Sequence, residues 1–445
     1  MIQTELDRPA PITLRTAFWY WLKLGFISFG GPAGQIAMMH AELVERRRWI
    51  SEQRFLHALN YCMLLPGPEA TQLAIYIGWL LHKTRGGIVA GVLFVLPSLV
   101  ILIVLSWIYM AYGSVPAVAA VLYGIKPAVV AIVLAAAWRI GKRSLKNAAL
   151  VALAAAAFIA IALFHLPFPA IVAGAALIGL IGGRRWPALF QVGGGHPGQA
   201  ASYGPALIDD DTPTPPHARF SWPRLTCVAV LGGGLGVTAW LALALLTGIG
   251  QPLAQMGWFF SKAALLTFGG AYAVLPYVYQ GAVDSFHWLQ PAQMIDGLAL
   301  GETTPGPLIM IVAFVGFVGA WTKAVFGASL LAAGAAGAMV ATFFTFLPSF
   351  LFILAGGPLV EATRDNIRMT APLTAISAAV VGVIVSLAVF FGKHVFWLET
   401  PTPHLDVPAM LLGLLASIAL LRYQVGTIKL ILACAISGLV LSYIG

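Results

Sequence analysis

Residues 20–31 read YWLKLGFISFGG, and residues 259–270 read FFSKAALLTFGG. One separation of 239 residues aligns Lys23 with Lys262, Phe29-Gly30-Gly31 with Phe268-Gly269-Gly270, Trp49 with Trp288, and Pro66-Gly67-Pro68 with Pro305-Gly306-Pro307. Further along the separation grows to 251. It then aligns Leu96-Pro97-Ser98 with Leu347-Pro348-Ser349, Val129-Val130 with Val380-Val381, and Gly141-Lys142 with Gly392-Lys393. Spacing held over so many features marks an internal repeat. The chain therefore reads as two homologous halves, residues 1–183 and 224–445, joined by a polar segment at 184–223. That segment holds Gly193-Gly194-Gly195 and Asp209-Asp210-Asp211 and is proline-rich. Such composition predicts a flexible cytoplasmic linker, with His196 and His217 solvated rather than metal-bound.

Composition sets the class. Of 445 residues, 60% are hydrophobic and 9% charged, against about 25% charged in an average soluble protein. A soluble enzyme, a disordered chain and a secreted disulfide scaffold are excluded; the chain is a polytopic membrane protein. The net charge of +9 comes from 25 basic and 16 acidic residues. The basic residues sit in short clusters between apolar runs, as the positive-inside rule expects, and not in a soluble nucleic-acid-binding domain. Cys62, Cys227 and Cys434 lie in apolar stretches without a CxxC pair, which argues against disulfide or metal roles. Glu5, Asp7, Pro9 and Pro11 precede the first apolar run, so the first helix is expected to direct insertion itself.

Charge also orients the segments. The clusters Arg46-Arg47-Arg48, Lys83/Arg85, Arg139/Lys142/Arg143/Lys146 and Arg184/Arg185 are placed in the cytoplasm. Spans at 87–112, 115–137, 147–164 and 168–183 satisfy this placement. Segments 13–42 and 54–82 do not cross so simply. Each begins and ends near basic residues of one side and is broken at Gly30-Gly31-Pro32 or at Pro66-Gly67-Pro68. Each arm is about 12–15 residues, roughly 18–22 Å of helix against a core of about 30 Å. They read as re-entrant hairpins, with two tightly packed full spans as the alternative. A further span at 225–248 reverses all that follows, and most of the second half's charge changes sides with it, Lys323 and Lys393 excepted. The expected fold is all-α and polytopic: two inverted-topology repeats, about nine full spans and four re-entrant hairpins, about 13 hydrophobic segments in all. Inverted repeats with broken helices mark secondary transporters whose substrate sites lie at the midplane breaks.

After each break a half-helix starts with free N–H groups and a positive dipole end, which suits an anion. Pro32, Pro68 and Pro307 fit such starts. The expected substrate-binding residues are therefore Phe29, Gly30, Gly31, Pro32, Gln35, Pro66, Gly67, Pro68, Thr267, Phe268, Gly269, Gly270, Thr304, Pro305, Gly306 and Pro307. Asn60, Gln72 and Thr303 are further uncharged donors near the breaks. Lys23 and Lys262, seven residues before each Phe-Gly-Gly, either join the site or snorkel to the interface. Lys126 is a similar cation with Ser377 as its counterpart. Glu69 follows the first Pro-Gly-Pro where the second half has Leu308; Glu302 precedes the second where the first half has Met63. Both carboxylates are candidates for coupling to protons, Glu69 also for capping its half-helix. Asp296 occupies the position of His57 in the other half, which leaves a proton relay open. There is no P-loop, HExxH or GxSxG motif, so no catalytic residue, metal or cofactor is expected. Leu231-Gly232-Gly233-Gly234-Leu235-Gly236 lies in an apolar span and reads as helix packing.

FGGPAGQIA at 29–37, LPGPEATQLAIYIGW at 65–79 and FVLPS at 94–98 strongly resemble the chromate ion transporter family. TFGGAYAVLPYV at 267–278 and TTPGPLIMIVAFVGF at 303–317 resemble its C-terminal repeat. The resemblance covers both halves and looks like the long, two-domain form. It implies a bacterial inner-membrane protein that expels chromate with the proton motive force and so confers chromate resistance. Sulfate, a near-isosteric dianion, is the expected competitor or alternative substrate. Membrane lipid is the other expected partner, a homodimer is left open, and nucleic acid is not expected. The rival readings are a flippase for a phosphorylated lipid and an intramembrane enzyme acting on lipid phosphate.

Overall fold

A computed structural model describes residues 8–29, 31–190, 203–268, 270–362, 371–398 and 404–444. Gly30, Gly269 and His196 lie outside the described residues.

The first half begins with α1 (Leu14–Ile27) and α2 (Gly31–His40), separated by the Phe-Gly-Gly break. Helix α3 (Glu52–Leu64) and α4 (Glu69–Tyr112) are separated by Pro-Gly-Pro. Helix α4 is itself broken at His82 and Lys83, where φ is −134° and 57°. Its first part is thus the second arm of a broken pair and its second part a membrane-length helix. Then follow α5 (Pro116–Ser144), α6 (Ala148–Ala162), α7 (Phe168–Arg185) and the single turn α8 (Pro187–Phe190). Helix α9 (Trp222–Thr247) connects to the second half.

That half repeats the order: α10 (Pro252–Leu265) and α11 (Ala271–Tyr279) around Phe-Gly-Gly, α12 (Pro291–Thr303) and α13 (Ile311–Thr322) around Pro-Gly-Pro. It closes with α14 (Leu330–Ala362), α15 (Ala371–Phe396), α16 (Val407–Leu421) and α17 (Thr427–Ile444). The spans expected at 87–112, 115–137, 147–164, 168–183 and 225–248 fall on helices α4, α5, α6, α7 and α9. Among the described residues six helices are long and apolar enough to cross a membrane, α4 and α9 being two of them. Helices α6 and α16 have 15 residues each, about 22 Å, shorter than the expected 147–164 span and than a ~30 Å core.

The repeat extends to backbone detail. A π-helical turn closes α2 at Ala41–Arg46, and another closes α11 at Gln280–Ser285, again 239 residues on. Each is followed by a residue with left-handed φ, Arg48 at 51° and His287 at 50°. Each is fastened by a tryptophan N–H, Trp49 to the Leu43 carbonyl and Trp288 to that of Ala282, both at 2.7 Å. Both tryptophans are buried. Glycine contacts repeat as well: Gly78 packs against Gly86 and Ala90, and Gly316 against Gly337 and Ala341.

Helix α9 is the most exposed, with Val230, Leu231, Leu245 and Leu246 all over two-thirds exposed. In a bilayer such a surface faces lipid. Its glycine run serves packing at two points: Gly232 abuts Leu351 and Gly236 abuts Leu347.

The linker departs from expectation over 203–221. This part is docked, not free. Ile208 forms a bridge to Ile50, the Ser51 N–H donates to Ile208, and Leu207 donates to Arg48. The aspartates hold the strap down: Ser51 donates to Asp210 at 2.6 Å, and Arg8 pairs with Asp211 at 2.8 Å. Arg54 donates to the Thr212 carbonyl, and the His217 ring meets the Trp79 carbonyl at 3.0 Å. Polar composition predicted mobility, but these groups find fixed partners in Arg8, at the start of α3 and on α4.

Candidate functional site

The four breaks turn on glycine. Gly31, Gly67, Gly270 and Gly306 have φ of 73°, 121°, 102° and 106°, a region that other residues enter at a cost. The arms they separate are 9 to 14 residues long. Pro32 stands in the first turn of α2, whereas Pro68 and Pro307 stand immediately before a helix start.

Two backbone hydrogen bonds bring the breaks together, and they cross between the halves. Gly67 N–H donates to the Thr267 carbonyl at 2.7 Å, and Gly306 N–H donates to the Ser28 carbonyl at 2.8 Å. Ser28 and Thr267 are repeat equivalents, as are Gly67 and Gly306. Each Pro-Gly-Pro turn is therefore pinned to the helix end before the other half's Phe-Gly-Gly. Residue i meeting j′ while i′ meets j is the signature of a two-fold relation.

The same exchange continues around the crossing. Gly67 lies against Ser349 of the second half, and Gly306 lies against Ser98 of the first. Further out, His57 of α3 meets the Val360 carbonyl of α14 at 2.8 Å. Asp296 of α12 accepts from Tyr109 of α4 at 2.9 Å. His57 and Asp296 are thus symmetry equivalents with separate partners, not joined to each other.

Glutamine side chains tie the crossing, and both come from the first half. Gln35, fully buried, donates to the carbonyls of Ser28 (3.2 Å) and Gly306 (2.5 Å). Gln72, also fully buried, donates to the Pro66 carbonyl at 2.7 Å. Val274 replaces Gln35 in the second half. Thr267 and Thr304, expected as anion donors, instead donate to their own helices, at Ala263 (2.7 Å) and Gly301 (2.9 Å). A buried hydroxyl engaged in this way has its proton committed. Pro66, Pro68, Pro305 and Pro307 shape the turns, and the half-buried Phe29 and Phe268 flank the breaks.

Lys23 and Lys262 do not reach the crossing. Both are exposed. Lys23 shares its face with exposed Trp19, Phe26 and Ile27, and Lys262 lies over the exposed Trp258 ring at 5.5 Å. A lysine beside tryptophan on an apolar outer face is the arrangement of a snorkelling interfacial residue.

The carboxylates lie to one side. Glu69 occupies the first turn of α4, and Arg143 of α5 is the cation that faces it. Glu302 accepts a short hydrogen bond from Tyr272, and Arg139 faces it. Arg139 and Arg143 are one turn apart on α5, so a single helix face serves both. A second ionic group lies at α4, α5 and α12: Lys126 approaches Asp296 at 3.6 Å. A third joins Arg54 to Glu361 at 3.9 Å, with Tyr76 donating to Glu361.

Reading the residues one by one missed Ser28, Ser98 and Ser349 as residues packed at the crossings, and Tyr109 and Tyr272 as partners of carboxylates. The repeated Leu-Pro-Ser at 96–98 and 347–349 was the available signal for two of them.

The chromate transporter family profile matches residues 15–180 and 254–439. The two matches begin 239 residues apart, the separation that relates the halves. Over 429 residues the chain is 30% identical to a chromate transport protein of Cupriavidus metallidurans, covering 96% of this chain and 93% of that one. It is 33% identical over 381 residues to a chromate transport protein of Pseudomonas aeruginosa, covering 84% and 80%. An uncharacterized transporter of Methanocaldococcus jannaschii is 26% identical over 382 residues, 85% of each chain. No solved structure matches.

Proposed function

The chain belongs to the chromate transporter family, and from that premise we propose that it is a secondary transporter exporting chromate across the bacterial inner membrane, so conferring chromate resistance. The observation that carries this reading is the crossed pair of hydrogen bonds, Gly67 to Thr267 and Gly306 to Ser28. It joins the four helix breaks, two per half, in two buried pairs. Half-helix starts there offer N–H groups and positive dipole ends to an anion. The two-fold exchange, together with charge that changes sides between the halves, supports an inverted repeat with re-entrant hairpins, and such repeats rock against each other around a central site.

The membrane potential favours this direction. One charge crossing 100 mV is worth about 2.3 kcal/mol, so a dianion leaving an inside-negative cell gains roughly twice that. Glu69 and Glu302, each faced by an arginine of α5, are the groups through which protons couple to the anion. Sulfate has the same charge and shape and competes for the site.

The test is uptake of radiolabelled chromate into everted vesicles, with and without an uncoupler and excess sulfate. Uncoupler-sensitive accumulation above empty-vector vesicles, reduced by sulfate, is the expected result. No accumulation with correctly inserted protein overturns export of chromate.

A further inference from the structure

The two crossings are alike in backbone and unlike in side chains. At the Gly67 crossing both hydroxyls have a partner, while the buried Gln72 Oε1 has none among the described residues. The Thr267 hydroxyl donates to Ala263, and the Ser349 hydroxyl oxygen accepts from the Gln72 amide at 3.5 Å. At the Gly306 crossing the equivalents are Ser28 and Ser98. Both are fully buried, and neither hydroxyl oxygen has a hydrogen-bond partner among the described residues. Both residues adjoin Gly306: its N–H is bonded to the Ser28 carbonyl, and a β-carbon placed on it would stand 3.1 Å from Ser98 Oγ.

Buried hydroxyls without partners are costly and call for an occupant. The Gln35 amide protons are already given to the carbonyls of Ser28 and Gly306. What remains uncommitted at this crossing is a pair of hydroxyls and the Gln35 Oε1 acceptor; the two hydroxyl protons are free for an oxyanion, the substrate class of the transport reading. Glu69 sits directly after the Pro-Gly-Pro of the Gly67 crossing, where the Gly306 crossing has Leu308. Glu302, one turn before Gly306, is engaged by Tyr272.

We propose that the oxyanion binds asymmetrically, at the Gly306 crossing, with the hydroxyls of Ser28 and Ser98 donating to its oxygens while the Gly67 crossing serves as a structural pivot. This rests on the transport reading above and names the subsite within it. Two buried donors set at fixed positions select a tetrahedral oxyanion over a spherical anion such as chloride. The sequence repeat conceals the asymmetry, because Ser98 and Ser349 stand in the same Leu-Pro-Ser motif and differ only in what surrounds them.

The experiment compares Ser28→Ala, Ser98→Ala, Ser349→Ala and Thr267→Val in everted vesicles, reading initial chromate uptake against concentration. The first two are expected to raise KM about tenfold or more, since a hydrogen bond to a charged group is lost. The last two are expected to stay within about twofold. Equal effects of Ser98→Ala and Ser349→Ala, or an unchanged KM in Ser98→Ala, overturn the subsite and leave transport standing. If wild-type vesicles accumulate no chromate, the transport reading falls instead. The subsite is then read on the purified full-length chain: chromate or sulfate must raise the unfolding temperature of the wild type and not of Ser98→Ala. Absence of stabilisation in the wild type overturns the subsite as well.

Discussion

The peptide N–H of Gly67 donates to the carbonyl of Thr267 across 200 residues of chain, at 2.7 Å. This bond and its Gly306–Ser28 equivalent require the glycine conformation and also its lack of a side chain. At Gly67 a β-carbon would stand 2.5 Å from Ser349 Oγ and 2.7 Å from Gln72 Nε2. At Gly31 the φ is also left-handed, but no atom lies within 4 Å of the same position.

Gly67→Ala is therefore expected to cost about 3 kcal/mol, from backbone strain plus overpacking, and to abolish transport. Gly31→Ala carries the strain alone, about 1 kcal/mol, and is expected to retain much of its activity. Thermal unfolding of the purified variants, beside vesicle uptake, checks the difference. Equal destabilisation would sink the crossing as a close-packed pivot.

The Lys126–Asp296 pair links α5 to α12. Asp296 is almost fully buried and Lys126 partly so, with side chains 5% and 28% exposed. Removing one charge leaves the other uncompensated in a low-dielectric setting. Lys126→Met and Asp296→Asn are each expected to cost about 3 kcal/mol, and the double variant to recover a large part of it. A double-mutant cycle on unfolding in detergent measures this. Simple additivity of the two losses would mean that the pair does not interact.

The docked strap carries a pH dependence. Burial, with help from Arg224 and Lys83, holds the His217 ring below its ordinary value of 6.5. A depressed histidine is neutral in the docked strap and protonates more readily once released. Its stabilising contribution is thus complete above pH 6.5 and lost as pH falls through the lower, docked value. Amide exchange over 203–221 is expected to quicken as pH is lowered through this window, after correction for intrinsic rates. His217→Gln, which keeps a donor for Trp79 and cannot titrate, is expected to remove the step; a step persisting in that variant would assign it to another group.

Lys23→Met and Lys262→Met are expected to leave the chromate KM within about twofold. Both lysines lie on exposed outer faces beside tryptophan. A tenfold rise in KM with unchanged membrane insertion would place them at the anion after all.

Much of the architecture was legible because it is local. A glycine with left-handed φ or a proline beside a helix start acts on its own few residues, so FGG and PGP announced all four breaks. The duplication was visible because both halves retain the same spacing, down to the π-turns at 41–46 and 280–285. The linker was less legible. Asp210, Asp211 and His217 looked like solvated residues until α3, α4 and Arg8 supplied partners.

By itself the sequence determined the class, the two halves, the positions of the helix breaks and the family. These follow from hydropathy, backbone chemistry and repetition, which need no knowledge of distant contacts. Only the tertiary structure decided which breaks meet, which way Lys23 and Lys262 face, and which serine hydroxyls remain uncommitted. Those outcomes depend on helix rotation and on contacts between residues hundreds of positions apart, Gly306 with Ser28, 278 positions away, being one. Two serines in one repeated motif carry identical local information. Packing against different neighbours is what leaves Ser98 without a partner and sets Ser349 beside the Gln72 amide.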